Sequence, residues 1–344
     1  MAKNNNISFK PEAVTKLLLS SLPERARDII KKRFGLEQSE RLTLDAIGQK
    51  YGITRERVRQ IEDFSLKAIR RSGEFAGAAG VFAELHRVLD DYGGIVHERG
   101  FLKHLSDDEV SQNNFHFLLV LGNEFTKLKE DDEFHHRWII DETLAERVHA
   151  ALRRVATGLA EDDLLSEEEM VKRLLEAIDE RARDEVLLNK ARRWLCLSKQ
   201  LGLNPVGEWG RADSPNVRVR GVRDYAFLVL RRQGSPMHFM EVAKTISGSF
   251  NRSANPATCH NELIKDQRFV LVGRGMYALT EWGYRPGIVR EVVAGILKEH
   301  GPLTEEEVLG RVLNERYVKP NTILINLKNP DYFKKNKQGR YLVA

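Results

Sequence analysis

The chain has 344 residues, of which 42% are hydrophobic and 31% are charged, enough to form several small cores under a soluble surface. Lys and Arg number 55 against 50 Asp and Glu, so the net charge of +5 permits a nucleic-acid partner without requiring one. Cys196 and Cys259 stand alone, which argues against a disulfide framework or a zinc ribbon and predicts two reduced thiols. No signal-peptide pattern opens the sequence, and no apolar run approaches the roughly 20 residues of a membrane span. We therefore expect a cytoplasmic protein.

The N-terminal part is predicted to be a disordered tail over 1–12 followed by a helical domain over 13–72. Gly35 is expected to end its second helix. Thr43 is a suitable N-cap for a short helix through Tyr51, and Thr54 for a longer helix to about Arg71. Residues 72–80 are rich in Gly and Ala, and we expect a linker there.

The two helices after Thr43 have the pattern of a helix-turn-helix. Two helices that cross closely need a small residue at their contact, and Gly48 is suitable. The tight turn between them needs a residue that tolerates positive φ, and Gly52 is suitable. Four apolar residues are then expected to pack inward: Ile47, Ile53, Val58 and Ile61.

Polar residues fall on the opposite side of the second helix, in its first two turns. Arginine can pair with guanine, glutamine with adenine, and glutamate can accept a hydrogen bond from cytosine N4. Recognition helices contact bases mainly through their N-terminal residues. We name four residues the base-contacting set: Arg55, Glu56, Arg59 and Gln60. A second group is predicted to contact phosphates, which position a protein without specifying sequence: Thr54, Arg57, Lys67, Arg70 and Arg71.

The run Leu22–Arg71 resembles region 4 of the bacterial sigma-70 family, most clearly in Arg27–Leu36 and in Thr54–Glu62. The resemblance implies that the base-contacting set contacts a −35-type element of double-stranded promoter DNA. It also implies that the helices before Thr43 help to hold the β-subunit flap of the RNA polymerase core.

No segment resembles region 2 of that family, which melts DNA at the −10 element through an aromatic-rich helix. The four tryptophans are scattered along the chain rather than clustered: Trp138, Trp194, Trp209 and Trp282. We therefore expect a sigma-like factor without an evident melting region.

After residue 80 the pattern of three helices followed by a β-hairpin recurs, which is typical of winged-helix domains. We predict domains at 80–157, 163–217, 218–284 and 286–344. The first hairpin is expected at Phe125–Ile140. Capping boxes are expected where Ser or Thr precedes Glu by three residues: Ser106–Glu109, Ser166–Glu169 and Thr304–Glu307.

Gly234–Ala243, followed by Phe269–Leu279, resembles the HARE-type helix-turn-helix that is also found in the RNA polymerase delta subunit. The resemblance implies contact with DNA or polymerase. Gly273-Arg274-Gly275 has the glycines of a phosphate-binding loop, but no third glycine and no following helix, so a hairpin turn is favoured. Arg274 at its tip is a candidate for phosphate or minor-groove contact.

No catalytic or metal-binding group can be assembled from the sequence. Consecutive acids such as Glu167–Glu169 point in different directions around a helix, and His135 and His136 alternate across a strand. We expect no enzyme activity, no metal and no cofactor. The tail Lys328–Arg340 is basic, and either a nucleic-acid contact or a solvated surface would explain it.

The sequence therefore predicts a mainly α protein, with a sigma region 4-like helix-turn-helix followed by an array of winged-helix domains. The leading hypothesis is a sequence-specific transcription factor that associates with RNA polymerase. The alternatives are a delta-like polymerase-binding subunit that does not contact bases, and the DNA-recognition component of a modification or restriction system.

Overall fold

The computed structural model describes residues 7–179, 184–284 and 287–344. The chain divides into two compact units, one of residues 1–202 with 209–212 and one of residues 203–208 with 213–344. Most described residues are helical, and the strands are short antiparallel pairs. In the described ranges no helix is both long enough and apolar enough to cross a membrane.

The first unit begins with four helices. Pro23 precedes the second helix, where its fixed φ suits a helix start, and Gly35 ends that helix with φ 65°. The bounds are α1 Pro11–Leu19, α2 Glu24–Phe34, α3 Leu44–Tyr51 and α4 Arg55–Arg70.

Most of residues 72–80 are helical, so the expectation of a linker was wrong. Helix α5 spans Gly73–Gly77 and α6 begins at Ala79. The Ser72 hydroxyl caps α5 by accepting a hydrogen bond from Phe75 N at 3.2 Å. The Phe75 ring packs 4.9 Å from the Phe82 ring. Capping and aromatic packing outweigh the weak helix preference of the glycines.

The order helix, strand, helix, helix, strand, strand then begins, which is the winged-helix arrangement. In the first such group the sheet order is β1-β3-β2, and Val96 pairs with Trp138. Its elements are α6 Ala79–Tyr92, β1 Ile95–His97, α7 Glu98–Leu105, α8 Glu109–Leu121, β2 Thr126–Leu128 and β3 Arg137–Ile139. The hairpin predicted at Phe125–Ile140 is confirmed.

The second group repeats this order, with the first strand reduced to a bridge between Leu165 and Trp209. Its elements are α9 Glu142–Thr157, α10 Glu167–Ile178, α11 Glu185–Leu195, β4 Leu201–Leu203 and β5 Trp209–Arg211. Helix α9 shares its core with α10 and α11. We therefore propose a domain boundary just before α9, rather than after residue 157.

The second unit contains two further groups. In the third, the sheet order is β6-β8-β7, and in the fourth a bridge between Leu303 and Tyr341 replaces the first strand. The third contains α12 Val222–Gln233, β6 Met237–His238, α13 Phe239–Ser249, α14 Pro256–Lys265, β7 Phe269–Gly273 and β8 Met276–Leu279, followed by a 3₁₀ turn at Thr280–Trp282. The fourth contains α15 Val289–His300, α16 Glu305–Glu315, α17 Pro320–Leu327, β9 Phe333–Lys335 and β10 Tyr341–Val343. The predicted fold class is confirmed.

One of the three predicted capping boxes is complete, a second has only its serine half, and the third was wrong. Thr304 and Glu307 form a complete capping box, and Ser166 accepts a hydrogen bond from Glu169 N at 3.2 Å. The box at Ser106 was wrong, because Asp108 is the N-cap of α8 and accepts from Ser111 N at 2.8 Å. A carboxylate closer to the helix start replaces the serine hydroxyl.

Candidate DNA-binding surface

Helices α3 and α4 form a helix-turn-helix with both N-caps in place. The Thr43 hydroxyl accepts a hydrogen bond from Ala46 N at 3.1 Å, and the Thr54 hydroxyl accepts one from Arg57 N at 3.2 Å. Both predicted caps are confirmed.

Gly48 and Gly52 have the roles predicted from the sequence, at the helix contact and in the turn. A Cβ added to Gly48 would lie 2.7 Å from the carbonyl oxygen of Ile53, closer than any real side chain approaches backbone. Gly52 has φ 62° and ends α3 in the left-handed conformation that glycine favours. A side chain at residue 48 would therefore push the turn away from α3.

A small apolar core holds the recognition helix in place. Ile29, Ile47 and Val58 are fully buried together, and Ile53 and Ile61 pack partly buried against them. All four inward positions predicted from the sequence are confirmed. The arrangement fixes which side of α4 faces solvent.

The base-contacting set lies on that exposed side of α4. The side chains of Arg55, Glu56 and Arg59 are 69%, 59% and 52% exposed, and Gln60 is exposed as well. All four belong to the first two turns of the helix. No other part of the first unit covers them, so a DNA groove could receive them directly.

Each member of the set has a partner within the protein. Arg59 donates to Glu56 at 2.8 and 2.9 Å and to Asp63 at 2.9 Å. Gln60 accepts from Arg57 at 3.1 Å. Arg55 lies 3.8 Å from Asp45. These exposed pairs are weak, so they pre-order the side chains without preventing their transfer to DNA.

The electrostatics of α4 follow from these contacts. The hydrogen bond from Arg59 is the main cause that lowers the pKa of the Glu56 carboxyl, and Glu56 is the main cause that raises the pKa of Arg59. Asp63 is a second partner of Arg59 that was not predicted from the sequence. Their spacing of four residues on one helix face was the available signal.

The residues predicted to contact phosphates fall into two groups. Thr54, Arg57, Lys67 and Arg71 are exposed. Arg70 instead donates hydrogen bonds to the carbonyl oxygens of Leu121 at 3.0 Å and Val120 at 2.7 Å, at the C-terminal end of α8. A guanidinium held there stabilises the last carbonyls of α8. Arg70 is exposed all the same, and a phosphate contact by it stays a prediction.

Helix α8 buries the apolar side of α1, α2 and α4. Its Phe115 and Phe117 share one core with Leu18, Ile30 and Phe34 of the first two helices. The Phe34 and Phe117 rings lie 4.9 Å apart in an edge-to-face arrangement.

Two buried asparagines of α8 complete this attachment. Asn113 Nδ2 donates to the carbonyls of Gly35 and Ser39, each at 3.0 Å, and its Oδ1 accepts from Arg41 Nε at 2.6 Å. Asn114 Nδ2 donates to the carbonyl of Leu36 at 3.0 Å. The segment that leads into the helix-turn-helix is therefore held by the winged-helix group that follows it.

The surface between α3 and α4 is concave. An open cleft of about 620 Å³ is lined by residues of both helices and of their turn, including Gln49, Gly52 and Arg57. Arg55 and Arg57 are among the residues that line it. A strand of nucleic acid backbone could lie there beside the base-contacting set.

Arg274 is exposed between β7 and β8, as predicted for a hairpin tip. Gly275 has φ 72°, and the turn joins antiparallel strands rather than a strand and a helix. The interpretation as a hairpin turn is confirmed. A nucleic-acid contact by Arg274 stays a prediction. Cys196 and Cys259 are both free thiols, with Cys259 buried.

This geometry defines a helix-turn-helix DNA-binding module. Residues 18–71 match the family model "Sigma-70, region 4". Over 62 residues the chain is 45% identical to RNA polymerase sigma factor RpoS of Coxiella burnetii, covering 18% of each protein. It is 45% identical over 53 residues to RNA polymerase sigma factor SigA1 of Synechococcus elongatus, covering 15% of this chain and 13% of that one. RNA polymerase principal sigma factor HrdD of Streptomyces griseus is 40% identical over 60 residues, covering 17% and 18%.

The chain spans less than a fifth of the length of each of these relatives. The predicted sigma region 4 domain is thus confirmed over 18–71. The resemblance of Gly234–Leu279 to the HARE-type module stays a prediction.

Proposed function

We propose that this chain binds promoter DNA sequence-specifically through α4 and associates with bacterial RNA polymerase. The observation that carries the proposal is the exposure of all four base-contacting side chains on the recognition helix of a sigma region 4 domain. The proposed duplex element is of the −35 type, by analogy with the sigma factors that match this domain. The proposal assigns the chain no catalytic role and a cytoplasmic location.

In the proposed complex, Arg55 and Arg59 contact guanine, Gln60 contacts adenine and Glu56 accepts from cytosine N4. Thr54, Arg57, Lys67 and Arg71 contact the phosphates on either side. Arg70 is a further candidate, although α8 already engages it.

The polymerase contact is the second part of the proposal. A contact of α1 and α2 with the β flap would compete with α8, which buries Leu18, Ile30 and Phe34 in this chain. We therefore infer that polymerase binds an outer side of the module, or that α8 leaves before the flap binds. Retention of the full chain by intact core enzyme, but not by core enzyme whose β flap is deleted, would make the flap the contact; equal retention by both would place the contact elsewhere on the polymerase.

The central test is a selection of bound duplexes from random sequence, with and without RNA polymerase core. We expect one preferred motif. Arg55→Ala or Gln60→Ala should cost about 1–3 kcal/mol at the preferred site and relax specificity at one base pair. Lys67→Ala should weaken binding to every sequence alike and reduce the salt dependence.

Selection without any preferred motif would refute base contact by α4. If the chain were still retained by core enzyme, a delta-like accessory subunit would be the better description. Cleavage or methyl transfer on the selected duplexes would instead indicate a component of a modification or restriction system.

A further inference from the structure

The positive charge of the chain is concentrated at its C-terminal end. Residues 316–344 contain seven Lys or Arg and one acidic residue, a net charge of +6, whereas the whole chain carries +5. The net charge of residues 1–315 is therefore −1, although they include the positively charged helix α4. Such a concentration of positive charge in one part of a chain is typical of a surface that binds polyanions.

The fold places much of this charge on one hairpin. Strands β9 and β10 pair antiparallel, with Lys335 opposite Tyr341 and Lys334 opposite Leu342. Phe333 and Tyr341 are buried in the domain core and anchor the hairpin. We call the exposed residues Lys334, Lys335 and Lys337 the lysine hairpin.

The tip of the hairpin is held by its own hydrogen bonds. Asn336 Oδ1 accepts from Gln338 N at 2.9 Å and from Arg340 N at 3.0 Å. Gly339 has φ 77°, which completes the turn. The lysines are therefore presented on an ordered backbone, which reduces the entropy lost when they bind.

These lysines are not neutralised by the protein. Within the described residues, neither Lys334 nor Lys337 has an acidic partner, and Lys335 lies 4.6 Å from the ring centre of Tyr341. Arg340 is different, because it donates to the carbonyl of Pro302 at 3.4 Å. An exposed and unneutralised cluster gains most from counterion release on binding phosphates.

The third helices of the first two winged-helix groups are engaged within the protein. Helix α8 is buried from Asn113 to Leu119. In α11 the cations are engaged, Lys190 with Asp90 and Arg193 with the carbonyl of Tyr92.

Helix α17 of the fourth group is not engaged in this way. Its Asn321, Thr322 and Ile325 are exposed, Lys319 precedes it and Lys328 follows it. No acidic residue occurs over 316–330. Short polar side chains with a lysine at each helix end suit a phosphate backbone.

We propose that the C-terminal winged-helix group is a second DNA-binding site, which holds duplex phosphates through the lysine hairpin and the ends of α17 without selecting a sequence. It is independent of the base contacts proposed for α4. It would keep the chain on DNA while α4 searches for its element.

The test uses the full chain and a 40-base-pair duplex of random sequence, with binding followed by fluorescence anisotropy at about 50–200 mM KCl. The variant Lys334→Ala/Lys335→Ala/Lys337→Ala should reduce the slope of log affinity against log salt by about 2.7, or 0.9 for each phosphate contact. At 100 mM salt its affinity should fall at least about a hundredfold. The control Lys10→Ala/Lys16→Ala/Lys172→Ala removes the same charge from exposed sites in the first unit and should leave the slope unchanged.

The double variant Lys334→Ala/Lys337→Ala keeps the contact of Lys335 with Tyr341, and should lower the slope by about 1.8 while the melting temperature stays constant. An unchanged slope in both hairpin variants would overturn the proposal, as would an equal loss in the control. Tighter binding to single-stranded RNA of equal length, lost in the triple variant, would make RNA the partner and overturn the duplex assignment.

The two DNA proposals fail separately. The triple variant should select the same DNA motif as the unmodified chain, only more weakly, whereas Arg55→Ala should change the motif and keep the contribution of the lysine hairpin to the salt slope. If no DNA motif is selected but the lysine hairpin still contributes to the salt slope, the proposal for α4 is wrong. If a motif is selected but the hairpin variants leave the slope unchanged, the proposal for the lysine hairpin is wrong.

Discussion

The pairing of Arg59 with two acids on α4 leads to a prediction that distinguishes base contact from simple charge. Glu56→Ala and Asp63→Ala each remove one carboxylate that holds Arg59, at 2.8 and 2.9 Å. Both carboxylates are more than half exposed. Only Glu56 belongs to the base-contacting set, so the two variants are matched in charge and differ in position.

Either variant removes one negative charge from α4, which leaves one more positive charge of the helix unneutralised and is equivalent to one added phosphate contact. One added contact steepens the salt slope by about 0.9, which near 0.15 M salt corresponds to about fivefold tighter binding to random DNA. Asp63→Ala should therefore raise affinity for the selected motif and for random duplex equally. Glu56→Ala should in addition lose its bond to cytosine, about tenfold at the selected motif, so that its preference for the motif falls by about that factor.

The assay is competition binding with the selected motif and with random duplex, each measured across salt concentration. A tenfold loss of preference in Glu56→Ala with unchanged preference in Asp63→Ala is the expected result. Equal behaviour of the two variants would refute the reasoning, because it would mean that Glu56 acts only through its charge and makes no base contact.

Two further predictions concern stability. Gly48→Ala should destabilise the fold by about 1–3 kcal/mol in urea unfolding, because its Cβ meets Ile53 O at 2.7 Å, whereas Gly80→Ala, in open space on α6, should stabilise by up to about 1 kcal/mol. Burial, with Arg41 nearby, lowers the pKa of His116 from 6.5 to about 3. The unfolded chain therefore takes up a proton first as pH falls below 6.5, and stability should decline between pH 6.5 and 3, by about 2 kcal/mol from this group at pH 5. The free energy of unfolding at pH 7 and pH 5 measures this decline. If the decline is just as large in His116→Gln, a group other than His116 causes it.

The helix-turn-helix could be predicted from the sequence because the signals that determine it are local. Thr43 and Thr54 cap helices through bonds three residues away, and Gly52 sets the turn by its own φ. Each of these effects is encoded within one turn of the chain.

The attachment of α8 could not be predicted in this way. Asn113 reaches the carbonyl of Gly35 across 78 residues of sequence, and nothing near Asn113 specifies that partner. The apolar run Phe115–Leu121 indicated a buried element but not what buries it. The prediction for residues 72–80 failed for a related reason, since packing of Phe75 against a core built from distant segments overrode the local glycine content.

The third helix is packed differently in the first and fourth winged-helix groups. This difference explains how one repeated fold can serve different purposes in the same chain. In the first group α8 is apolar and buried, so it can only hold the neighbouring helices. That attachment leaves the base-contacting set exposed and fixes the segment before α3 through Arg41. In the fourth group α17 buries only Ile323 and Leu327, and its remaining face is open and free of acids. A helix whose apolar residues wrap all its faces must be packed on every side, whereas one with a single apolar stripe keeps a surface for a partner. The same architecture therefore supplies a support at one end of the chain and a binding surface at the other.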